Sequence, residues 1–449
     1  MSDELGASAT QARSRVGRPH TSAPDPVVRN GYALVLATVV TSGTGFFYWV
    51  IAARLFNPAQ VGRSAAALTA MMLIASVAGM NLTGSLAYLL PRLGRSVRKC
   101  VIASYAGSTA LALVLAAAFL TVMSVSDTSL AFLRQNTEVA VVFAVGAAGS
   151  VVFTLQDGVL IGLRRSSWVL GENAAFAVVK LLALIGSAVW GITNGIFLSW
   201  VVPILLAVLV VNVPIFRWLV PRAMARPDEL RMTQGVLRRF VGLNYVSALF
   251  YQGYFNLLPL LVLIRLGSAA NGFFYVVWTI TGIVDLVSHS MGASLTVESA
   301  AAPDRLAEHT RGISRRLVAL LLPAVTVAVA AAPQFLGLYG TDYAGHSTTL
   351  LRLLMIGSLP RALVIVAQSA TRAQGKVGCS VGSEAITWAL LMSLSVVLLP
   401  HWGTNAIGWA FLVANIGAAL TVLPALLAIL RLAPPVPWPA IPASCGGTE

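Results

Sequence analysis

Twelve apolar stretches dominate the 449-residue chain, at about 31–53, 65–90, 100–123, 138–163, 167–190, 195–217, 240–264, 271–297, 317–338, 347–371, 377–400 and 405–430. Each is long enough to cross the ~30 Å of hydrocarbon in a bilayer at ~1.5 Å per helical residue. Hydrocarbon offers no water to an open strand edge, so these stretches are predicted to be helices. Composition agrees: 57% of residues are hydrophobic and 10% charged, where a soluble domain carries ~25% charged residues. A soluble enzyme, a disordered chain and a single-span receptor are excluded. The predicted fold class is an all-α polytopic membrane protein with about 12 transmembrane helices.

Charge tests the count. With the amino terminus placed inside, 23 of the 30 basic residues fall in cytoplasmic segments and 5 in outer ones, with Lys180 and Arg361 inside spans. A wrong helix count would scramble that alternation, so both termini are expected in the cytoplasm of a cell-membrane protein. The bases are spread over short loops with no single patch, which argues against nucleic acid. Cys100, Cys379 and Cys445 make an odd set without CxxC spacing, on the side where thiols stay reduced. The first apolar run is too long for a signal-peptide core and reads as an uncleaved span.

Polar segments divide the chain. Residues 1–29 are expected to be a disordered cytoplasmic tail, 30–217 an amino-terminal six-helix bundle, and 218–239 a cytoplasmic linker. Residues 240–431 form a carboxy-terminal six-helix bundle, and 432–449 a Pro-rich cytoplasmic tail. An internal repeat supports the two halves. Arg54-Leu55 recurs as Arg265-Leu266, Thr193-Asn194 as Thr404-Asn405, and Glu172 as Glu384, at offsets of 211 or 212. Six helices per half means that both insert the same way, as parallel repeats about an axis normal to the membrane.

Catalytic and cofactor motifs are nearly absent: there is no HExxH, no GxxxxGK and no GxGxxG, so no cofactor or metal is expected. Gly378-Cys379-Ser380-Val381-Gly382 fits GxSxG, but it opens a membrane helix and cannot form a strand–turn–helix elbow. A helix-packing role is expected, as for Gly158 and Gly162.

Buried ionisable groups are costly in a membrane and mark candidate sites. Lys180, Asp285 and Arg361 lie near mid-span, and Asp157 about two turns from an inner end. Asp285 and Arg361 read equally as a structural pair or as transport residues, and His289, one turn beyond Asp285, reads as a packing residue. Glu172 and Glu384 lie nearer the cytoplasmic face and are expected to pair with Arg164, Arg165, Arg372 or Lys376. The seventh span is unusually polar. Asn244, Ser247, Tyr251, Gln252, Tyr254 and Asn256 are suited to line a cavity for a sugar; the hydroxyls of the first span favour packing. Trp402 and Trp409 read as interfacial anchors.

Three segments carry a family resemblance: Ala53-Arg54-Leu55-Phe56-Asn57-Pro58-Ala59-Gln60-Val61-Gly62, Leu90-Pro91-Arg92, and the run from Gln156-Asp157-Gly158 to Arg164-Arg165, continuing through Trp168 and Asn173 to Lys180. With them the chain resembles the polysaccharide-biosynthesis flippases of the multidrug/oligosaccharidyl-lipid/polysaccharide (MOP) exporter superfamily. The resemblance implies two six-helix bundles around a central V-shaped cavity. It implies a lipid-linked oligosaccharide moved from the cytoplasmic to the outer leaflet, with cavity cations meeting its pyrophosphate. Glycan-biosynthesis enzymes and the bilayer are the implied partners. By depth, Lys180 and Arg361 are the candidate cations, with Asp285, Asp157, Asn244, Tyr251, Gln252 and Asn256 as further binding candidates. Arg54, Gly62, Arg92, Glu172, Arg265 and Glu384 are assigned to the scaffold.

Three other readings compete. An ion-coupled exporter of small cations would use Asp157 and Asp285, but Lys180 and Arg361 would repel its cargo. A membrane glycan polymerase or ligase needs a larger outer loop than 124–137. A membrane scaffold for glycan enzymes is the fourth.

Overall fold

The computed structural model describes residues 43–80, 82–125, 133, 137–225 and 234–431, without the side chains at 123–125, 234–244 and 300–301. Both predicted tails, the first half of the first span, most of the loop at 124–137 and the centre of the linker lie outside the described residues. Among those described, eleven helices are long and apolar enough to cross a membrane, and the end of the first predicted span, 43–55 (α1), is also helical. The described residues contain no strand. The chain is a multi-pass, all-α membrane protein.

In the first half, α1 is followed by α2 (Pro58–Gly79), α3 (Leu82–Leu89), α4 (Val97–Val125), α5 (Thr137–Gly162), α6 (Ser166–Val189) and α7 (Gly195–Pro214). In the second, α8 (Gln234–Leu266) leads to α9 (Ser268–Ala301), α10 (Leu306–Ala330), the short α11 (Ala332–Gly337), α12 (Thr341–Ala373), α13 (Val377–Trp402) and α14 (Asn405–Arg431). One end of the bundle carries Arg54 and the turns at 191–194, 267 and 403. The other carries Arg92, the turn at 163–165 and the turn at 374–376.

The second span begins earlier than its hydropathy suggests, and the reason is local. Asn57 caps α2 by accepting from the Gln60 backbone nitrogen at 2.9 Å, while the Gln60 side chain accepts from the Asn57 nitrogen at 3.1 Å. Pro58 at the first helical position lacks the N–H that would otherwise be orphaned. The same span is broken near its other end. Met80 adopts a left-handed conformation (φ 46°, ψ 31°), and the chain resumes as α3. The ninth span starts at Leu306 because its first turns are amphipathic: Leu306, Thr310, Ile313 and Leu317 are buried, while Arg311, Arg315 and Arg316 face outward.

The halves meet along α2, which packs against α8 and α9. At the Arg54 end the contact is backbone on backbone. A Cβ on Gly62 would sit 2.6 Å from the Gly272 nitrogen and would overlap the Ser268 carbonyl oxygen. A Cβ on Gly272 would in turn strike the Pro58 carbonyl oxygen. Pro58 and Gly62 thus face Ser268 and Gly272 reciprocally, as a local two-fold relation between repeats requires. The Asn271 amide donates to the Gly62 carbonyl at 2.7 Å. Arg54 reaches across from the first half, donating through Nε to Leu338 and through Nη2 to Gly337, each at 2.8 Å. Phe46 against Tyr339 and Trp49 against Tyr275 add edge-to-face ring contacts. The Arg54 end is therefore shut.

Elsewhere the outward faces carry large exposed apolar side chains, such as Val189, Leu209, Val210 and Leu420, as a lipid-facing surface requires.

Candidate functional site

Between the halves, on the Arg92 side of the closed contact, lies a cavity of about 360 Å³. Its first-half wall is built from Ser76, Gly79 and Thr83 at the broken α2–α3 span, Ser150, Phe153 and Thr154 on α5, Phe176 on α6, and Trp200 and Ile204 on α7. Tyr245, Ala248, Leu249 and Gln252 on α8 close the other side, and the Tyr245 hydroxyl donates to the Val77 carbonyl at 3.0 Å. Gly79 and Thr83, on either side of the helix break, both line this wall. Hydroxyls and an amide interleaved with aromatic faces suit an amphiphile with a polar head.

Lys180 stands directly behind that wall. Its Nζ lies 4.0 Å from the Trp200 ring centroid, 4.8 Å from Tyr48 and 5.1 Å from Phe176. Tyr48 is itself fixed by a 2.7 Å hydrogen bond with Ser199. Among the described residues no carboxylate lies within ion-pair distance of Lys180, so three rings alone stabilise the buried ammonium, each desolvated cation–π contact supplying up to ~2 kcal/mol. Two of those ring residues, Phe176 and Trp200, also line the cavity.

The same face of α6 places Glu172, Phe176 and Lys180 at successive i, i+4 positions. On α5, Ser150, Phe153 and Thr154 line the cavity, and Asp157 continues that face one turn further toward the Arg92 end. Phe153 and Phe176 pack at 5.2 Å between centroids. Asp157 and Glu172 lie just beyond them, close enough for their charges to interact. Glu172 is 6% exposed, and both its carboxylate oxygens lack a partner, as does Asp157 Oδ1.

The second half treats its charges differently. Arg361, 1% exposed, donates through Nε to Asp285 Oδ1 at 3.3 Å and through Nη2 to Glu384 Oε1 at 3.0 Å. Gln368 donates to the same Glu384 oxygen at 3.0 Å and to Ser383 at 2.9 Å. His289 sits 3.6 Å from Asp285 Oδ2, and the Tyr251 and Tyr254 rings lie 5.6 and 5.8 Å from the guanidinium. Asp285 (α9), Arg361 (α12) and Glu384 (α13) thus tie three helices into one latch.

Several expectations change here. Arg361, Asp285, Tyr251 and Asn256 do not line the cavity; the first three belong to the latch, and Asn256 is turned back onto the Gln252 carbonyl at 2.9 Å. Of the named binding candidates, Gln252 alone is among the cavity-lining residues. The Asn244 side chain lies outside the described residues. Glu384 pairs with Arg361, and Arg372 donates to Ser380 instead. Glu172 finds no arginine, because Arg164 and Arg165 sit in the exposed turn more than a helical turn away. Of the scaffold residues, Arg54 and Gly62 join the halves, and Arg92 stacks on Tyr88 at 4.0 Å. Arg265, the repeat counterpart of Arg54, is simply exposed. Gly158 and Gly162 do pack, against Thr83 and Leu86, but a Cβ on Gly378 or Gly382 would meet open space. Gly382 instead borders a second recess of about 200 Å³ between α12, α13 and α14.

Hydropathy could not identify the aromatic wall, since Phe153, Phe176 and Trp200 read as ordinary span residues. The spacing Glu172–Phe176–Lys180 was the available signal.

No family model and no curated protein sequence matches the chain. Solved structures do. The lipid II flippase MurJ in an inward closed conformation aligns with a TM-score of 0.72 at 10% identity, covering 90% of each chain. A multidrug resistance MATE family transporter of the MOP superfamily, in its inward-facing conformation, aligns at 0.59 and 15% identity over 88% of this chain and 94% of that one. A MOP superfamily transporter from Pyrococcus furiosus, described as having a binding pocket of reverse polarity, aligns at 0.57 and 16% identity over 90% and 94%. Flippase and multidrug transporter alike share this arrangement of helices, and the chain has the fold of the MOP-superfamily transporters.

Proposed function

We propose that the protein is an alternating-access flippase that carries a lipid-linked, pyrophosphate-bearing oligosaccharide precursor from the cytoplasmic to the outer leaflet. The observation that carries this reading is Lys180: an ammonium with no counter-ion among the described residues, held behind the aromatic wall of the central cavity. A buried cation without a partner is expensive, and an anionic head in the cavity would supply one. The hydroxyls, amide and rings of the wall serve the sugars. Fold similarity to MurJ and the MATE transporters supports transport as such, and the cargo follows from the site.

Orientation rests on the charge bias, which puts the Arg92 end in the cytoplasm and makes the observed state closed to the outside. Thr193→Cys is expected to label in intact cells and Ser96→Cys only after permeabilisation; the reverse pattern overturns the orientation.

The cargo test is deletion of the gene followed by measurement of precursor sidedness. Lys180→Ala in the complementing copy is expected to abolish surface glycan while precursor accumulates on the cytoplasmic leaflet. Lys180→Arg keeps the charge and retains partial activity. Normal surface glycan with sensitivity to cationic drugs would instead favour export of small cations, the reading that the acids Asp157 and Glu172 would serve.

A further inference from the structure

The sequence offset of the internal repeat brings two very different pairs into register. Gln368 stands 211 residues after Asp157, and Glu384 stands 212 after Glu172. In the second half these positions face each other across α12 and α13, with Gln368 donating to Glu384 at 3.0 Å. In the first half the equivalent helices are α5 and α6. They are joined by the short turn 163–165, and Asp157 and Glu172 lie five residues before and six after the helix ends. Where the second half sets an amide against a carboxylate, the first sets one carboxyl against another. The compensating cation is missing too: the position 211 residues before Arg361 is Ser150, which donates to the Gly146 carbonyl at 2.7 Å.

Among the described residues the surroundings supply no cation, and only the Asn173 amide comes within hydrogen-bonding reach of Asp157. Tyr105 on α4 comes close enough to interact with both acids, and its hydroxyl is buried without a partner. Asn173, next to Glu172, donates to the Val169 carbonyl. Arg98 and Lys99 lie at the start of α4, and Arg164 and Arg165 in the exposed turn. On α3, Tyr88 is exposed and carries Arg92. Neither α2 nor α7 places a titratable side chain at this depth, and Lys180 is two turns away, inside its ring cage. Two buried carboxyls near enough for their charges to interact, with no cation within ion-pair distance among the described residues, resist being ionised together. Glu172, 6% exposed and with both oxygens unpartnered, is thus an acceptor awaiting a ligand, and the smallest ligand that fits is a proton.

Position gives that proton a purpose. From the Arg92 end the order along the first-half wall is Asp157 and Glu172, then Phe153 and Phe176, then Lys180. An anionic head drawn from the Arg92 side toward Lys180 must pass the acids first. We propose that Asp157 and Glu172 form a proton-binding carboxyl pair that gates the cavity, admitting the anionic head when the pair holds a proton and repelling it when the proton has left. The proton exchanges with solvent at the Arg92 end, and no other bond is made or broken. This gate rests on the anionic-cargo reading; the proton site itself does not.

Two measurements on the purified full-length protein test it. Infrared difference spectroscopy reads the carbonyl band of a protonated carboxylic acid without any cargo. The wild type is expected to show such a band near neutral pH, lost on raising the pH and altered in both Asp157→Asn and Glu172→Gln. These variants are expected to fold, since the second half already carries an amide at the Asp157-equivalent position. A band absent at every pH, untouched by both variants, or displaced by sodium at constant pH overturns the proton site.

Binding of farnesyl pyrophosphate from pH 6 to 9 reads the gate. Wild-type affinity is expected to fall as pH rises, and the Asp157→Asn/Glu172→Gln double variant to bind at least about tenfold more tightly than wild type at the alkaline end, ~1.4 kcal/mol. The double variant also reports the probe's own ionisation. Equal pH profiles for the two proteins overturn the gate. If the carboxyl band behaves as expected but neither wild type nor Lys180→Ala binds the probe, the anionic-cargo reading falls and the gate with it, while the proton site stands.

Discussion

The two halves handle buried charge in opposite ways. In the second, Arg361 is shared between Asp285 and Glu384, Gln368 donates to the same Glu384 oxygen, and Tyr251, Tyr254 and His289 pack around the group. In the first, among the described residues, Lys180 has rings and no counter-ion, both Glu172 oxygens lack a hydrogen-bond partner, and Asp157 has the Asn173 amide but no cation. The cavity wall follows the same division: most of its residues come from the first half, and the second contributes a single face of α8. An ion-paired network fixes helices together even though Arg361 Nη1 and Glu384 Oε2 are left without a hydrogen bond, whereas charges without a counter-ion beside a cavity are available to a ligand. On the proposed function, the second half serves as a brace and the first as the binding surface.

Breaking the brace should produce the largest effect. Arg361→Met strands two carboxylates and is expected to cost ~3–5 kcal/mol, measured by thermal or denaturant unfolding in detergent. Adding Asp285→Asn and Glu384→Gln should recover most of the loss, because no unpaired charge is then left. If the triple variant is as unstable as the single one, charge pairing is not what makes the latch.

The glycine pairs sharpen the contrast at smaller scale. A methyl at Gly158 would run into the Thr83 backbone, so Gly158→Ala is expected to cost ~1–3 kcal/mol through overpacking. A methyl at Gly382 meets nothing, and Gly382→Ala should stay within ~0.5 kcal/mol of wild type. Equal losses at the two sites would mean that the recess beside Gly382 closes in the folded protein.

The smallest effect on stability should come from the most exacting functional position. Lys180→Met gives up its ring contacts but also the cost of burying an ammonium, so unfolding should shift by less than ~1 kcal/mol. Transport, followed by precursor sidedness, should nevertheless be lost. A large destabilisation would show that Lys180 is scaffold, like Arg361, and would remove the distinction between the halves.

Much of the fold could be read from the chain because the bilayer imposes one rule on every span. An apolar run of sufficient length must be helical, and the charge of its loops alternates with it. The capping residues Asn57, Pro58 and Gln60 set the start of α2 by equally local rules. The repeat offset matches three islands of the first half, at Arg54, Glu172 and Thr193, to Arg265, Glu384 and Thr404. Depth could be estimated the same way, and it put Asp285 and Arg361 at one level.

What each charge faces could not be read, because spacing along a helix gives depth and azimuth but not the neighbouring helix. Arg361 and Lys180 looked equivalent in the sequence, two cations in mid-span. Only packing put one between two carboxylates and the other among Tyr48, Phe176 and Trp200. Glu172 and Glu384 looked like a repeated pair, and tertiary structure gave a partner to one alone. The left-handed turn at Met80 divides a stretch whose length reads as one span, and the division places Gly79 and Thr83 on the cavity wall. Apolar transfer is a property of each segment by itself and is therefore written locally. Pairing, caging and cavity formation depend on which helices touch, and that was decided only when the two halves packed.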